Sequence, residues 1–222
     1  GTYKAPFLRV NPLDARLGAL LPWPRWLKNW RLKEWEHFAL VNDQYYLSVA
    51  LFNAKLLALA QVCVYSRADG AIYFYERRMP PWKISLPPNV LSSRVAYESR
   101  GFSLKFENAL NAGYIGIDIE IAASKGLPPI TGRFRCLEPL GSSEPIVVCL
   151  PLPNGGAMYS HKYTCPIEGS MTLDGRHVDF LPQRSYGLID IHQGYYPLVM
   201  KWHWATAGAR MPDGRLVGFN LT

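Results

Sequence analysis

Two residues able to move a proton, Asp190 and His192, sit two positions apart in the run GLIDIHQGYYPLVMKWHWATA, residues 187–207. In an extended chain both side chains point to one face, and Ile189 and Ile191 to the other. A carboxylate beside an imidazole fixes its tautomer and raises its basicity, a common construction for acid–base chemistry. Asp190 is equally suited to capping the turn that follows. Further along, Trp202 and Trp204 share a face, and Lys201 and His203 share the opposite one. Together with Tyr195 and Tyr196, the tryptophans could wall an apolar ligand pocket or stabilise a cation through their ring faces. His161 and Lys162, in a Gly-rich neighbourhood, form a second cluster that could line the same pocket.

Other chemistries lack their residues. No GxSxG, phosphate loop, dinucleotide fingerprint or HExxH motif is present, which disfavours the usual hydrolases and nucleotide enzymes. Cys63, Cys136, Cys149 and Cys165 are widely spaced without a CxxC, so neither zinc nor another metal or cofactor is expected, and the thiols read as free. The carboxylates Asp118 and Glu120 lie on the polar face of a strand and read as solvated.

The elements that must position these groups are strands. Asp69-Gly70 and Asp174-Gly175 each separate alternating runs, the strongest short-range hairpin signal. Asn42-Asp43, Gly101 and Asp213-Gly214 mark further turns. Tyr114 to Ala122 alternates most cleanly, with Ile115, Ile117, Ile119 and Ile121 on one face. The prolines of MPPWKISLPPN (79–89) require a connection, and Pro22 and Pro24 argue for an extended lead-in segment around Trp23, Trp26 and Trp30. PNGGAMYSHKYT (153–164) and Gly169 to Leu173 read as separate segments. About fourteen short strands result, with no convincing amphipathic helix.

Composition agrees. The chain has 222 residues, 49% hydrophobic and 18% charged, enough to bury a large core. Its net charge is +7, but Lys and Arg are scattered, so nucleic-acid binding is not expected. No apolar run reaches the ~18 residues of a membrane-spanning helix, and no signal peptide is recognisable, which points to the cytoplasm. The predicted fold is all-β and antiparallel: two tandem lipocalin-like barrels or curved sheets, the second incomplete. A Gly/Ser/Pro linker at 138–145 divides an N-terminal unit, 1–137, from the start of a second, 146–222. Ending on an apolar strand, the chain is expected to lack a C-terminal part.

The run SYGLIDIHQGYYPLVMKWHWATAGARMPDGRLVGFNL resembles the signature of domain-of-unknown-function family 2804. WRLKEWEHF (30–38) and YSHKYTCPIEGSM (159–171) are similar to that family's early and middle motifs. The resemblance implies kinship with lipocalin-like carotenoid hydratases and tocopherol cyclases, which hold an apolar site in two β-barrel-like domains. Asp190, Pro197, Trp202 and Trp204 match the signature. Where many members carry Asp-Trp-Gly-Arg-Gly, this chain has Asp190-Ile191-His192-Gln193-Gly194, so no role of that Trp or Arg carries over.

Three functions stay open at this level. The first is a lipocalin-like protein binding a small lipophilic molecule. The second is a hydratase, cyclase or isomerase using Asp190 and His192 for proton transfer. The third is a carbohydrate-binding β-sandwich with exposed aromatic rings. Oligomeric state is not encoded in any pattern found.

Overall fold

The computed structural model describes residues 1–16, 23–138, 145–152, 156–196, 201 and 203–221. Alternating apolar side chains produce fifteen strands among them, all paired antiparallel. The N-terminal ones are β1 (Thr2–Tyr3), β2 (Lys33–Val41), β3 (Tyr45–Asn53), β4 (Ala58–Ser66) and β5 (Ile72–Met79). Then come β6 (Ser93–Ser99), β7 (Phe102–Ala109), β8 (Tyr114–Ile121), β9 (Ile130–Leu137) and β10 (Ile146–Leu152). The last are β11 (Gly156–Leu173), β12 (Arg176–Phe180), β13 (Tyr186–Gly194), β14 (Ala205–Arg210) and β15 (Leu216–Leu221). The main sheet runs β5-β4-β3-β2-β13-β11-β9-β8-β7-β6, with β10 and β12 on β11 and β1 on β10. β14 and β15 form a separate two-stranded sheet. The all-β, antiparallel, curved architecture is the one expected, with the second sheet small and open.

The sheet curls so that its two flanks share one core. Phe38 of β2 meets Phe106 of β7 edge-on, with ring centroids 4.8 Å apart. Tyr75 of β5 donates its hydroxyl to the Pro128 carbonyl across the same interior. Leu40, Leu51, Val62, Ile117, Phe134 and Ile189 fill the space between. Burial of this kind stabilises by roughly 25 cal/mol per Å² of apolar surface, so these inward rows set the register of the strands that contribute them.

The turn signals hold: the Asn42-Asp43, Asp69-Gly70, Gly101, Asp174-Gly175 and Asp213-Gly214 turns each join strands that pair with one another. Two segments differ from expectation. A short helix, α1 (Arg25–Arg31), replaces part of the extended lead-in. Pro24 stands at its N-cap, where a missing N–H costs nothing, so proline starts this helix rather than preventing it. The second is β11, one strand of 18 residues instead of two segments. Pro166 does not end it. Instead the strand changes partners there, pairing β10 and β13 before it and β9 and β12 after. Gly169 allows the bend: its φ is +141°, and a Cβ there would lie 2.1 Å from the Arg133 carbonyl oxygen. The linker expected at 138–145 falls largely outside the described residues. All four cysteine thiols are free. No helix among the described residues is long and apolar enough to cross a membrane.

Candidate functional site

The middle of the sheet is built from β2, β13 and β11, and register decides what meets there. His37, Asp190 and Lys162 lie side by side in one row, and Trp35, His192 and Ser160 in the next. Ile189 and Ile191 take the inner face, so these six side chains stand on the outer one. Ordinarily that face would be wet. Here the β14–β15 hairpin lies across it, and Asp190 and His192 are 7% and 6% exposed. Gly218 makes the approach possible, since a Cβ there would fall 2.2 Å from Thr164 Oγ1.

Asp190 Oδ1 is 2.7 Å from His192 Nε2 and 3.0 Å from Lys162 Nζ. Lys162 also donates to Asn220 Oδ1 on β15, at 2.8 Å, which ties the hairpin to the cluster. His192 Nε2 lies 3.1 Å from Ser160 Oγ, and its Nδ1 lies 3.1 Å from the Tyr196 hydroxyl. The His192 ring stacks on Trp35 with centroids 4.4 Å apart, and Trp35 stacks in turn on Tyr196. Burial pushes the Asp190 carboxyl up, but His192 and Lys162 outweigh it and bring it down to about 2. Burial lowers His192 below the usual histidine range, against the pull of Asp190. His37 is also lowered by burial. At neutral pH the cluster is therefore an ionised carboxylate and ammonium flanked by two neutral imidazoles. With Nε2–H given to Asp190, His192 Nδ1 accepts from the Tyr196 hydroxyl, and such a ring can take up a proton and return it to a bound group.

Above the cluster lies a cavity of about 180 Å³, with Asp190, Lys162 and His37 on its floor and Leu188, Trp204 and Phe219 among its walls. Trp204 meets His37 edge-on at 5.6 Å and is 40% exposed. Trp204 thus presents an exposed ring of the kind carbohydrate stacking needs, as Trp26, Trp30 and Trp82 do elsewhere on the surface. Trp202 lies outside the described residues, as does Pro197.

Of the other expected residues, Tyr196 joins the cluster through His192. Tyr195 does not: it is buried against Leu32 near α1. His161 and Lys162, adjacent in sequence, part company because neighbours in a strand face opposite ways. Lys162 reaches Asp190, whereas His161 is fully buried on the inner face, 3.2 Å from Glu138 Oε1. Among the described residues, no group of three or more His, Cys, Asp or Glu side chains is placed to hold a metal ion.

Trp35, His37, Ser160 and Asn220 were not anticipated. Trp35 and His37 carried a signal in the alternation of WRLKEWEHF, where they share one face and Glu34, Glu36 and Phe38 share the other. That pattern also places two glutamates on the core face. What it does not carry is the pairing of β2 with β13.

A curled antiparallel sheet with a small second sheet against its outer face defines an all-β class of fold. Within it, the chain matches over residues 1–222, and belongs to, the family described as domain of unknown function (DUF2804). No curated protein matches. The crystal structure of CghA with Sch210972 is similar, at a TM-score of 0.50 and 16% identity, covering 84% of this chain and 55% of that one. Kievitone hydratase from Nectria haematococca gives a TM-score of 0.48 and 11% identity, with 79% and 51% covered. The chain thus spans about half the length of the solved structures it matches, and at these identities the likeness concerns the fold alone.

Proposed function

We propose that this protein binds a small lipophilic molecule between the outer face of β2–β13–β11 and the β14–β15 hairpin. The observation carrying this is the cavity over Asp190, which joins an apolar wall to a charged floor. Leu188, Trp204 and Phe219 would take hydrocarbon, Lys162 would donate to a hydroxyl or carbonyl, and Asp190, held by His192 from behind, would accept from a hydroxyl. At about 180 Å³ the space is smaller than a typical ligand pocket of ~300 Å³ or more, so it fits the polar end of such a molecule. The remainder would extend past Trp204. Extraction of the purified protein, followed by mass spectrometry, is expected to release an apolar molecule of this kind. An Asp190→Asn, Lys162→Met double variant should lose it. Equal recovery from both proteins would count against this site.

A second reading is supported by the contacts of His192, whose two ring nitrogens meet an acid and a phenol. A hydratase, cyclase or isomerase would use Asp190 and His192 for proton transfer. His192, once it has taken up a proton with Asp190 stabilising the imidazolium, would give that proton to an isolated double bond and return to the neutral ring. Trp35, stacked on that ring, would shelter positive charge. Asp190→Asn separates the two readings. Binding with loss of turnover of the extracted molecule indicates chemistry, while binding with no turnover in either protein leaves the carrier reading.

A further inference from the structure

The inner face of the sheet has a polar end, and a strap closes it. Residues 80–92 cross that end and send Ile84, Leu86 and Val90 into the core. Side-chain amides hold the strap by its carbonyls. Asn53 Nδ2 donates to Pro81 and Ile84 at 2.9 and 2.7 Å, and Gln193 Nε2 donates to Pro87 at 2.7 Å. The backbone N–H of Val10 donates to Pro88, that of Leu110 to Val90, and that of Asn111 to Leu91. Beside the strap's last residues, Ser93 Oγ donates to the Asn89 carbonyl at 2.6 Å.

That serine is tied to a buried acid. Asn108 Nδ2 donates both to Ser93 Oγ, at 3.2 Å, and to Glu36 Oε1, at 3.0 Å. Glu36 is 2% exposed and Asn108 is 1% exposed. The second oxygen of each group, Glu36 Oε2 and Asn108 Oδ1, is buried with no hydrogen-bond partner among the described residues. Two orphan acceptors on groups already joined by one hydrogen bond call for a donor between them. A proton on Oε2 supplies it: Glu36 then donates to Asn108 Oδ1 while Asn108 donates back to Oε1, a closed acid–amide pair.

We propose that the proton on Glu36 is a latch: it holds the Glu36–Asn108–Ser93–Asn89 chain together and keeps the strap closed over the interior, and ionisation of Glu36 releases it. The surroundings favour the neutral acid. On β2 itself the nearest charge is Glu34, already paired with Lys55 from the end of β3. Across β13 the same face presents Gln193, and on β11 it presents His161, which contacts Glu138. Arg77 of β5 shares the row, but its guanidinium sits over the Phe102 ring. No cation among the described residues is paired with Glu36. Burial pushes its carboxyl up to about 8, with Asn108 opposing and Glu34 adding to the rise.

Hydrogen exchange reads the latch directly, through the amides of Val10, Leu110 and Asn111 that bond to strap carbonyls. After correction for intrinsic exchange, their protection should fall by up to tenfold per pH unit from about pH 5 to about pH 8 and then level off. Amides in the β8–β9 ladder should show no such slope. Glu36→Gln, whose amide can pair with Asn108 at any pH, should hold the three strap amides flat across the range. A flat wild-type profile, or an unchanged slope in Glu36→Gln, overturns the latch. Should that variant fail to fold, Ser93→Ala serves: the strap amides should lose protection at every pH. A wild-type slope in Ser93→Ala overturns the proposed route.

Discussion

The two faces of β2 and β13 bury acids in opposite ways. Outside, Asp190 keeps its charge because Lys162 and His192 stand within 3.0 Å of it. Inside, Glu36 has only the amide of Asn108 beside it, and the next acid along the strand, Glu34, is a like charge whose own cation, Lys55, does not pair with Glu36. Burial penalises the charged form of both. Where a cation answers it, the carboxyl moves down to about 2; where none does, it moves up to about 8. A buried acid therefore says little about chemistry until its partners are counted. Asp190 is too strong an acid to donate a proton near neutrality, so the proton transfer proposed for this site would fall to His192, whereas Glu36 is the acid proposed to keep its proton.

This contrast can be broken or sharpened by measuring stability against pH. The largest effect belongs to Glu36. Its folded value is raised, so its contribution is complete below about pH 4.5 and is lost as pH climbs to about 8. The loss amounts to about 5 kcal/mol in urea-unfolding free energy, and Glu36→Gln should remove it. Next is Lys162→Met, which strips Asp190 of its ammonium partner and should cost about 3 kcal/mol at pH 7. Adding Asp190→Asn to it should recover most of that loss. If the double variant were as unstable as the single one, the two charges would not be acting as a pair.

Smaller still is the acid limb. The folded value of Asp190 is lowered, so its contribution is present above about pH 4 and lost as pH falls through about 2, a change of about 2 kcal/mol. An Asp190→Asn protein should lack this limb and keep the alkaline one. The gentlest test is Tyr196→Phe, which deletes the hydroxyl beside His192 Nδ1. It should cost about 1 kcal/mol and shift the titration of the His192 ring seen by NMR.

Much of this architecture was legible in the residues. Asp-Gly pairs place turns because few other residues adopt the required backbone, and the isoleucines of β8 alternate because one face is core. The common face of Asp190 and His192 followed from the same period. Local patterns failed where a residue's meaning depends on its neighbours in space. PNGGAMYSHKYT and Gly169 to Leu173 read as separate segments, yet both belong to β11, where Pro166 marks a change of partner. Pro24 reads as a breaker, yet it precedes α1. Lys162 and His161 read as one cluster until the strand separates them. Nothing in WRLKEWEHF announces that His37 will lie beside Asp190, because partner choice is settled by the curl of the whole sheet.

That choice has a consequence for how the chain is made. His37 and Asp190 pair across more than 150 residues of sequence, and β2 has no neighbour on that side until β13 arrives. During synthesis β2–β5 emerge before the partner of β2 and before β7 and β8, which cover their apolar face. Contacts so distant in sequence form slowly, and an edge left waiting is where chains join one another wrongly. Lys33 on one face of β2 and Glu34 and Glu36 on the other put charge on that waiting edge, a natural deterrent to mispairing until the final partner is available.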